Sequence, residues 1–88
     1  MTLETAKQYL RVDSADEDAL IERMLDSSKK ICLDILRTDD EEILDKPGVD
    51  IALLYALAYM YEHREEADYS VMQITLRHLL GADRKEVF

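Results

Sequence analysis

The stretch YEHREE, residues 61–66, places a histidine and several carboxylates within two helical turns of one another. His63 and Glu66 are three residues apart, so both side chains would lie on one face of a helix. A carboxylate-bridged di-iron site in a helical bundle needs such Glu-x-x-His pairs on two helices, together with further glutamates. The other histidine, His78, is followed by LLG and has no such partner. The pattern therefore favours surface polar residues, and we expect no metal and no cofactor.

The acidic stretch DSADED, residues 13–18, raises the possibility of calcium binding. An EF-hand loop requires oxygen ligands at alternate positions, glycine at the sixth and glutamate at the twelfth. Counted from Asp13, the third position is Ala15 and the sixth is Asp18, which do not fit. Counting from Asp16 also fails, because an apolar residue falls at the fifth position. The spacing therefore excludes an EF-hand.

A structural role explains the same carboxylates. Ser14 and Glu17 have the S-x-x-E spacing of a capping box, in which each side chain bonds the backbone N–H of the other. The neighbouring aspartates would lie at the positive end of the helix dipole, where each typically gains ~0.3–1 kcal/mol. We therefore predict that a helix starts at about residue 15 and that this stretch caps it.

Nothing in the sequence indicates catalysis. Cys32, the one cysteine, lies within a helical apolar pattern and is expected to be a buried core residue. There is no glycine-rich phosphate loop and no G-x-S-x-G pattern. We therefore predict that the protein is not an enzyme.

The charge composition excludes two classes of partner. Twenty acidic residues against 11 basic ones give a net charge of −9, which disfavours binding to nucleic acid and to anionic membranes. The opening residues MTLETAKQYL lack the pattern of a signal peptide. The longest apolar run, residues 51–61, is much shorter than the ~20 residues that span a bilayer.

The periodicity of apolar residues predicts a single all-α domain, residues 1–88, with two long and two short helices. The predicted ranges are about 3–10, with Thr2 as N-cap, then 15–37, 47–66 and 70–80. An acidic loop, residues 38–48, separates the two long helices. The third helix is apolar on all sides between residues 51 and 61, which indicates a central position.

The three other helices each have an apolar stripe that is predicted to face the core. In the first helix the stripe is Leu3, Ala6, Tyr9 and Leu10. In the second it is Leu20, Ile21, Met24, Leu25, Ser28, Ile31, Cys32, Ile35 and Leu36. In the fourth it is Val71, Met72, Leu76, Leu79 and Leu80, with Gly81 as the expected C-terminal cap.

In its order of elements the chain resembles the phage gp6-like head–tail connector family. The segments that carry the resemblance are TLETAKQYLRVD, SADEDALIERMLDSSKKIC, DIALLYALAYMYEHREEA after Pro47, and ITLRHLLGADR. The most specific of these are YLRVD followed by DEDALIE, and YEHREEA. None is a catalytic signature, so the resemblance rests on pattern along almost the whole chain.

The resemblance implies a structural protein of a tailed phage or prophage. Its subunits would assemble in the host cytoplasm into a homo-oligomeric ring under the portal protein, at the head–tail junction of the virion. The ring would extend the DNA channel, without specific nucleic-acid binding and without a membrane, and would receive the tail-completion or stopper protein. A different class remains open, namely a small acidic regulatory protein that binds one partner as a DNA mimic or transcription modulator.

The residues themselves give candidate surfaces for such a ring, because a head-to-tail ring needs two different complementary patches on each subunit. One candidate patch is the off-stripe side of the second helix, with Asp26, Lys30, Leu33 and Arg37. The other is the tyrosine-bearing side of the third helix, with Tyr55, Tyr59, His63 and Arg64. Carboxylates would repel DNA phosphates from a channel wall, and the candidate lining is Asp39, Asp40, Glu41 and Glu42.

Overall fold

The computed structural model describes residues 1–64 and 68–81. Over these residues the chain forms four α-helices, one short 3-10 helix and no strand, which confirms the all-α prediction. The elements are α1 (Leu3–Leu10), α2 (Asp18–Leu36), the 3-10 helix (Glu41–Asp45), α3 (Val49–Glu62) and α4 (Tyr69–Leu80).

The helix α3 is the central element, because it contacts α1, α2, the 3-10 helix and α4. The helix α1 packs on α2 and α3 and makes no contact with α4. This position explains why α3 is apolar on every side, since each side meets a different neighbour. Ile51, near the start of α3, is the exception and is 60% exposed.

The apolar side chains form two clusters. The larger one joins α2, α3, α4 and the 3-10 helix, and its fully buried members include Cys32, Leu53 and Leu76. The smaller one joins α1 to the first half of α2 and to α3, through Ala6, Ile21, Leu25 and Leu57. Burial of each such leucine or isoleucine contributes about 1.5–3 kcal/mol. The helix α1 is thus attached by the smaller cluster and α4 by the larger one.

The first two helices end in the same way. Arg11, which follows α1, and Arg37, which follows α2, both adopt the left-handed conformation, with φ of 60° and 59°. In each case the next residue donates its backbone N–H back into the helix, from Val12 to the Lys7 carbonyl at 2.9 Å and from Thr38 to the Leu33 carbonyl at 3.2 Å. This is the Schellman arrangement, in which glycine is the usual left-handed residue.

The start of α1 confirms its predicted cap, whereas the predicted capping box of α2 is wrong. The Thr2 hydroxyl accepts the backbone N–H of Thr5 at 3.3 Å. The Ser14 hydroxyl instead accepts the N–H of Asp16 at 3.0 Å, and α2 begins only at Asp18. The Glu17 side chain makes no capping bond, because its carboxylate is bound elsewhere, as described below.

Three residues placed on the core-facing stripes are instead exposed. Tyr9 in α1 is 50% exposed, and in α4 Val71 and Leu79 are 51% and 42% exposed. The buried side of α4 is narrower than predicted, since its fully buried residues are four apart, at Met72, Leu76 and Leu80. Among the described elements α4 contacts α2 and α3, and one row of its side chains is buried against them.

One further helix boundary differs from the prediction, whereas Gly81 is the C-terminal cap of α4 as predicted. The helix α3 begins at Val49 rather than at residue 47, because Gly48 has a φ of 92°, which a helix does not accommodate. Gly81 follows α4 but is right-handed, with φ of −55°, and its N–H bonds the His78 carbonyl at 3.4 Å. The predicted end of the third helix at residue 66 lies outside the described residues.

Candidate functional site

The outer side of α2 carries the first candidate patch. Asp26, Lys30 and Arg37 are exposed and form no ion pair with another described residue. Leu33 is half-buried and packs against the larger core cluster. The charged members of this patch are thus available for another molecule, whereas the surface of Leu33 is divided between the core and solvent.

The tyrosine-bearing side of α3 is an aromatic row with contacts inside the chain. The rings of Tyr55 and Tyr59 have centroids 6.2 Å apart, and the His63 ring stacks on Tyr59 at 4.3 Å. The Tyr59 hydroxyl donates to the Asp68 carbonyl at 3.0 Å. Asp68 in turn caps α4 by accepting the N–H of Ser70 at 3.0 Å. Tyr59 therefore orders the start of α4, and His63 remains exposed on the row.

Arg64, the last member of the second patch, belongs to a different contact at the end of α3. Its guanidinium lies 4.7 Å from the centroid of the Tyr61 ring and donates to the Tyr61 carbonyl at 2.9 Å. It also lies 3.6 Å from a carboxylate oxygen of Glu17, whose other oxygen accepts the Tyr61 hydroxyl at 2.7 Å. The hydrogen bond to Glu17 is the main cause that raises the pKa of Tyr61.

A second long-range contact joins the same acidic stretch to α1. The Lys7 ammonium lies 2.7 Å from Oδ1 of Asp18, an oxygen that is itself buried. The side chains of Lys7 and Asp18 are only 18% and 35% exposed, so water screens this pair incompletely. Glu17 and Asp18 thus hold the start of α2 against α3 and α1, while Asp13 and Asp16 are exposed.

The acidic segment Asp39–Glu42 lies at the opposite end of α2 and presents its carboxylates to solvent. All its residues are exposed. The Asp40 carboxylate accepts the N–H of Glu42 at 3.0 Å, and the Thr38 hydroxyl accepts the N–H of Asp40 at 3.1 Å. Leu44, only 4% exposed, anchors the 3-10 helix in the larger cluster. The backbone that carries these carboxylates is therefore held in place by local hydrogen bonds and by the burial of Leu44.

A groove of about 420 Å³ lies between α2 and the start of α4. Its lining combines apolar side chains with two cations, and consists of Arg23, Met24, Ser27, Lys30, Ile31, Asp34, Met60 and Tyr69. A smaller depression of about 190 Å³ continues it along α4, lined by Ile31, Asp34, Ile35, Gln73 and Arg77. We call the two together the α2–α4 groove.

The sequence pattern indicates Lys30 as a candidate contact residue but not the other cations of the groove, Arg23 and Arg77. A signal for Arg23 was present, because Arg23, Lys30 and Arg37 are seven residues apart, which places them along one side of a helix. No sequence signal places Arg77 beside them, because it comes from α4.

The sequence offered a cysteine and a histidine–carboxylate stretch as candidates for reactive or metal-binding sites. Those of their residues that the structure describes have structural roles. Cys32 is fully buried, and burial raises the pKa of its thiol to about 11, so the reactive thiolate is suppressed. The described residues include no group of three side chains able to hold a metal ion, and Glu66 lies outside them. No helix in the described part of the chain is long and apolar enough to cross a membrane.

The family model described as phage gp6-like head-tail connector protein matches residues 1–79. The match covers α1, α2, the 3-10 helix, α3 and nearly all of α4. No curated protein and no solved structure matched the chain.

Proposed function

The chain belongs to the phage gp6-like head–tail connector family, and on this premise we propose that it forms a ring under the portal protein. The family is structural and non-catalytic, in agreement with the absence of a catalytic pattern in the sequence. In the proposed role, subunits assemble in the host cytoplasm and then occupy the neck of the virion. There the ring extends the DNA channel and receives the tail-completion or stopper protein.

Family membership over residues 1–79 is the observation that carries this proposal. A ring subunit also needs two unlike patches on its surface. Different parts of the surface of this chain carry charges of opposite sign, as such patches require. The α2 side has exposed cations at Lys30 and Arg37, whereas the segment Asp39–Glu42 is wholly acidic. We retain the outer side of α2 as one ring contact, with Asp26 and Leu33 beside the two cations.

The tyrosine-bearing side of α3 is one proposal for the second ring contact. Tyr55 and His63 offer ring surface of the kind enriched in protein interfaces. Tyr59 and Arg64 have intrachain partners, so their role would be to hold this surface in place. The surface would then meet a neighbouring subunit without a change in the fold.

The carboxylates of Asp39–Glu42 are the proposed lining of the DNA channel. They are exposed, ordered by their own backbone contacts, and have no ion pair with another described residue. A ring repeats them around its axis, and the resulting negative wall repels DNA phosphates, so the genome slides without adhering.

Assembly is tested by light scattering of the purified protein across a concentration series, with and without the portal of the same phage. A ring-sized mass, alone or only with portal, is the expected result. A protein that stays monomeric at high concentration in the presence of portal contradicts the connector role. Pull-downs would then search for the single partner of an acidic regulatory protein.

The lining is tested by neutralising the segment, with Asp39→Asn, Asp40→Asn, Glu41→Gln and Glu42→Gln together. We expect normal ring assembly but slower or blocked genome passage, measured as DNA release from assembled particles. A matched control neutralises the exposed Glu4 and Glu22 with Gln, and should leave release unchanged. Unchanged release in the Asp39–Glu42 variant would refute the lining.

A further inference from the structure

The helix α4 carries most of the exposed apolar surface in the part of the chain that the structure describes. Six large hydrophobic side chains are exposed there, and four of them belong to α4, namely Tyr69, Val71, Ile74 and Leu79. Exposed apolar residues scattered singly are ordinary, whereas several on one element mark a contact with another molecule. The outward side of α4 is therefore a candidate contact surface.

The spacing along α4 brings part of this surface onto one face. Val71, Ile74 and His78 follow one another at intervals of three and four residues, which places them along one side of a helix, with Thr75 between them. This side lies opposite the row of α4 residues that is buried against α2 and α3. We call Val71, Ile74, Thr75 and His78 the outer α4 face.

The outer α4 face can be covered without burying a carboxylate. The Thr75 hydroxyl donates to the Val71 carbonyl at 3.3 Å, so it already has a partner within the helix. The helix α4, with the sequence YSVMQITLRHLL, contains no acidic residue, whereas each of the other described helices contains at least one. Its arginine, Arg77, lines the depression on the α2 side instead. The occupant of this face should therefore also be apolar and free of carboxylates.

The same face of a second copy of this chain meets that requirement. The outer side of α2, the segment Asp39–Glu42 and the α2–α4 groove all carry exposed charges, which would lose water against an apolar face without gaining a partner. The tyrosine-bearing side of α3 is aromatic, but the hydroxyl of Tyr59 is bound to the Asp68 carbonyl and its ring is stacked on His63. Among these described surfaces, the outer α4 face is the one that is apolar and free of carboxylates.

Two outer α4 faces also fit one another in size when the helices run antiparallel about a two-fold axis between Ile74 and Thr75. In this register Ile74 of one copy meets Thr75 of the other, and Val71 meets His78, so that a larger side chain lies against a smaller one. The two His78 rings are then about 10 Å apart along the helix, the length of seven residues, and do not oppose each other. A contact of this kind uses the same patch on both copies.

We propose that two copies of this chain pair through their outer α4 faces about a two-fold axis near Ile74 and Thr75. This contact goes beyond the proposed function, because it joins copies in pairs, whereas a head-to-tail ring closes through two unlike patches. One helix face against another covers less than the ~800 Å² per partner of a standard interface. The pair is therefore weak and exchanges readily with the single chain.

The pairing is tested by light scattering of the protein without portal, from about 10 μM to about 1 mM, at low and at high salt. We expect a mass that rises towards twice that of one chain. The rise should be larger in high salt, because salt screens the repulsion between two copies of net charge −9. Ile74→Glu should raise the dissociation constant at least roughly tenfold, because it places a carboxylate in the apolar contact.

Two further variants separate the contact from general effects of charge and folding. Tyr9→Glu is the matched control, because it adds the same charge at another exposed residue, on α1, which makes no contact with α4, and it should leave the pairing unchanged. Val71→Glu repeats the disruption in the first turn of α4, where a carboxylate favours the helix, and replaces Ile74→Glu if that variant fails to fold. Thermal unfolding of all three should stay near that of the unchanged protein, since the replaced side chains are at least 50% exposed.

Cross-linking identifies the face that covers α4. A residue near a two-fold axis lies close to the same residue of the other copy, so Ile74→Cys should form a disulfide-linked pair when a mild oxidant is added. Cys32 is fully buried and should not react. Tyr9→Cys is the matched control and should run as a single chain on a non-reducing gel.

The outcomes keep this contact apart from the proposed function. If the unchanged protein stays monomeric up to about 1 mM in high salt, or pairs equally well with Ile74→Glu, the outer α4 contact is wrong, and assembly with portal still decides the connector role. If Ile74→Cys cross-links to Ile51→Cys in a mixture but not to itself, α3 of the second copy covers the face and the two-fold contact is wrong. If the protein pairs as expected but never assembles with portal, the proposed function fails and the outer α4 contact stands.

Discussion

Two short segments of this chain begin alike and end in different roles. Leu10-Arg11-Val12-Asp13 and Leu36-Arg37-Thr38-Asp39 have the pattern L-R-x-D, each at the end of a helix and each leading into acidic residues. Their arginines have nearly identical left-handed backbones, with φ and ψ of 60° and 44° at Arg11 and of 59° and 47° at Arg37. Local sequence thus produced the same turn twice.

The carboxylates that follow the two turns behave differently. After Arg11, Glu17 bonds Tyr61 at a separation of 44 residues, and Asp18 pairs with Lys7. After Arg37, the residues Asp39–Glu42 bond only their own neighbours among the described residues. Two acidic runs of similar composition therefore make different kinds of contact. Glu17 and Asp18 of the first run hold helices together, whereas all four carboxylates of the second run are exposed and without an ion pair to another described residue.

The largest expected effect on stability comes from removing the carboxylate of Asp18, in the first acidic run. We expect Asp18→Ala to lower the free energy of unfolding by about 1–3 kcal/mol, because it leaves the Lys7 ammonium, 18% exposed, without its partner. Asp39→Ala is the matched control and should change it by less than about 0.5 kcal/mol. Urea denaturation with an unchanged m value measures both. If Asp18→Ala and Asp39→Ala lower the free energy of unfolding equally, the two acidic runs do not differ in their contribution to the fold.

A smaller effect is expected at the Glu17–Tyr61 bond. Tyr61→Phe and Glu17→Ala should each destabilise the protein less than Asp18→Ala, and their effects should not add, because they remove the same hydrogen bond. A double-mutant cycle by urea denaturation measures this coupling. Strictly additive effects would mean that the bond contributes nothing in solution.

The same bond predicts a pH dependence with a definite sign. Its donor is the neutral Tyr61 hydroxyl, whose pKa in the folded protein is raised above the ordinary 10.0 chiefly by the hydrogen bond to Glu17. Its contribution is therefore complete below pH 10 and is lost as the pH rises through the raised pKa. Tyr61→Phe should remove this part of the alkaline loss in thermal unfolding. An identical alkaline profile in Tyr61→Phe would contradict it.

The two arginine turns allow a stabilising change that sharpens the comparison. Arg37→Gly and Arg11→Gly should each raise the free energy of unfolding by up to ~1 kcal/mol, because glycine adopts the left-handed conformation without steric cost. Arg37→Ala keeps the Cβ and should bring no such gain. If Arg37 contacts a neighbouring subunit, both substitutions should weaken ring assembly, whereas only glycine stabilises the monomer.

The smallest effect on stability is expected for the second acidic run. Neutralising Asp39–Glu42 should change the free energy of unfolding by less than about 0.5 kcal/mol per residue, with a slight gain at low salt as repulsion is relieved. The gain should disappear in high salt, measured by thermal unfolding in both conditions. A large loss would mean that these carboxylates hold the fold together, as those of the first run do.

The sequence alone determined the features that depend on local spacing. It located four helices, the Thr2 cap, the burial of Cys32 and the central position of α3, because apolar periodicity and capping act over a few residues. The pattern also carried the family resemblance, which the match over residues 1–79 confirms. The sequence also indicates that some residues could serve either the fold or a contact with another molecule. These are the acidic runs, the tyrosines and Lys30.

The tertiary structure alone decided which role each charged residue has. Ser14 and Glu17 fit a capping box by spacing, but the Tyr61 hydroxyl, brought close by packing, competes for the Glu17 carboxylate. The α2–α4 groove likewise exists only because α4 lies beside α2, so that Arg77 lines the depression that continues the part lined by Lys30. Hydrogen bonds and ion pairs depend on distances of about 3 Å, and only packing sets those distances between residues far apart in the chain.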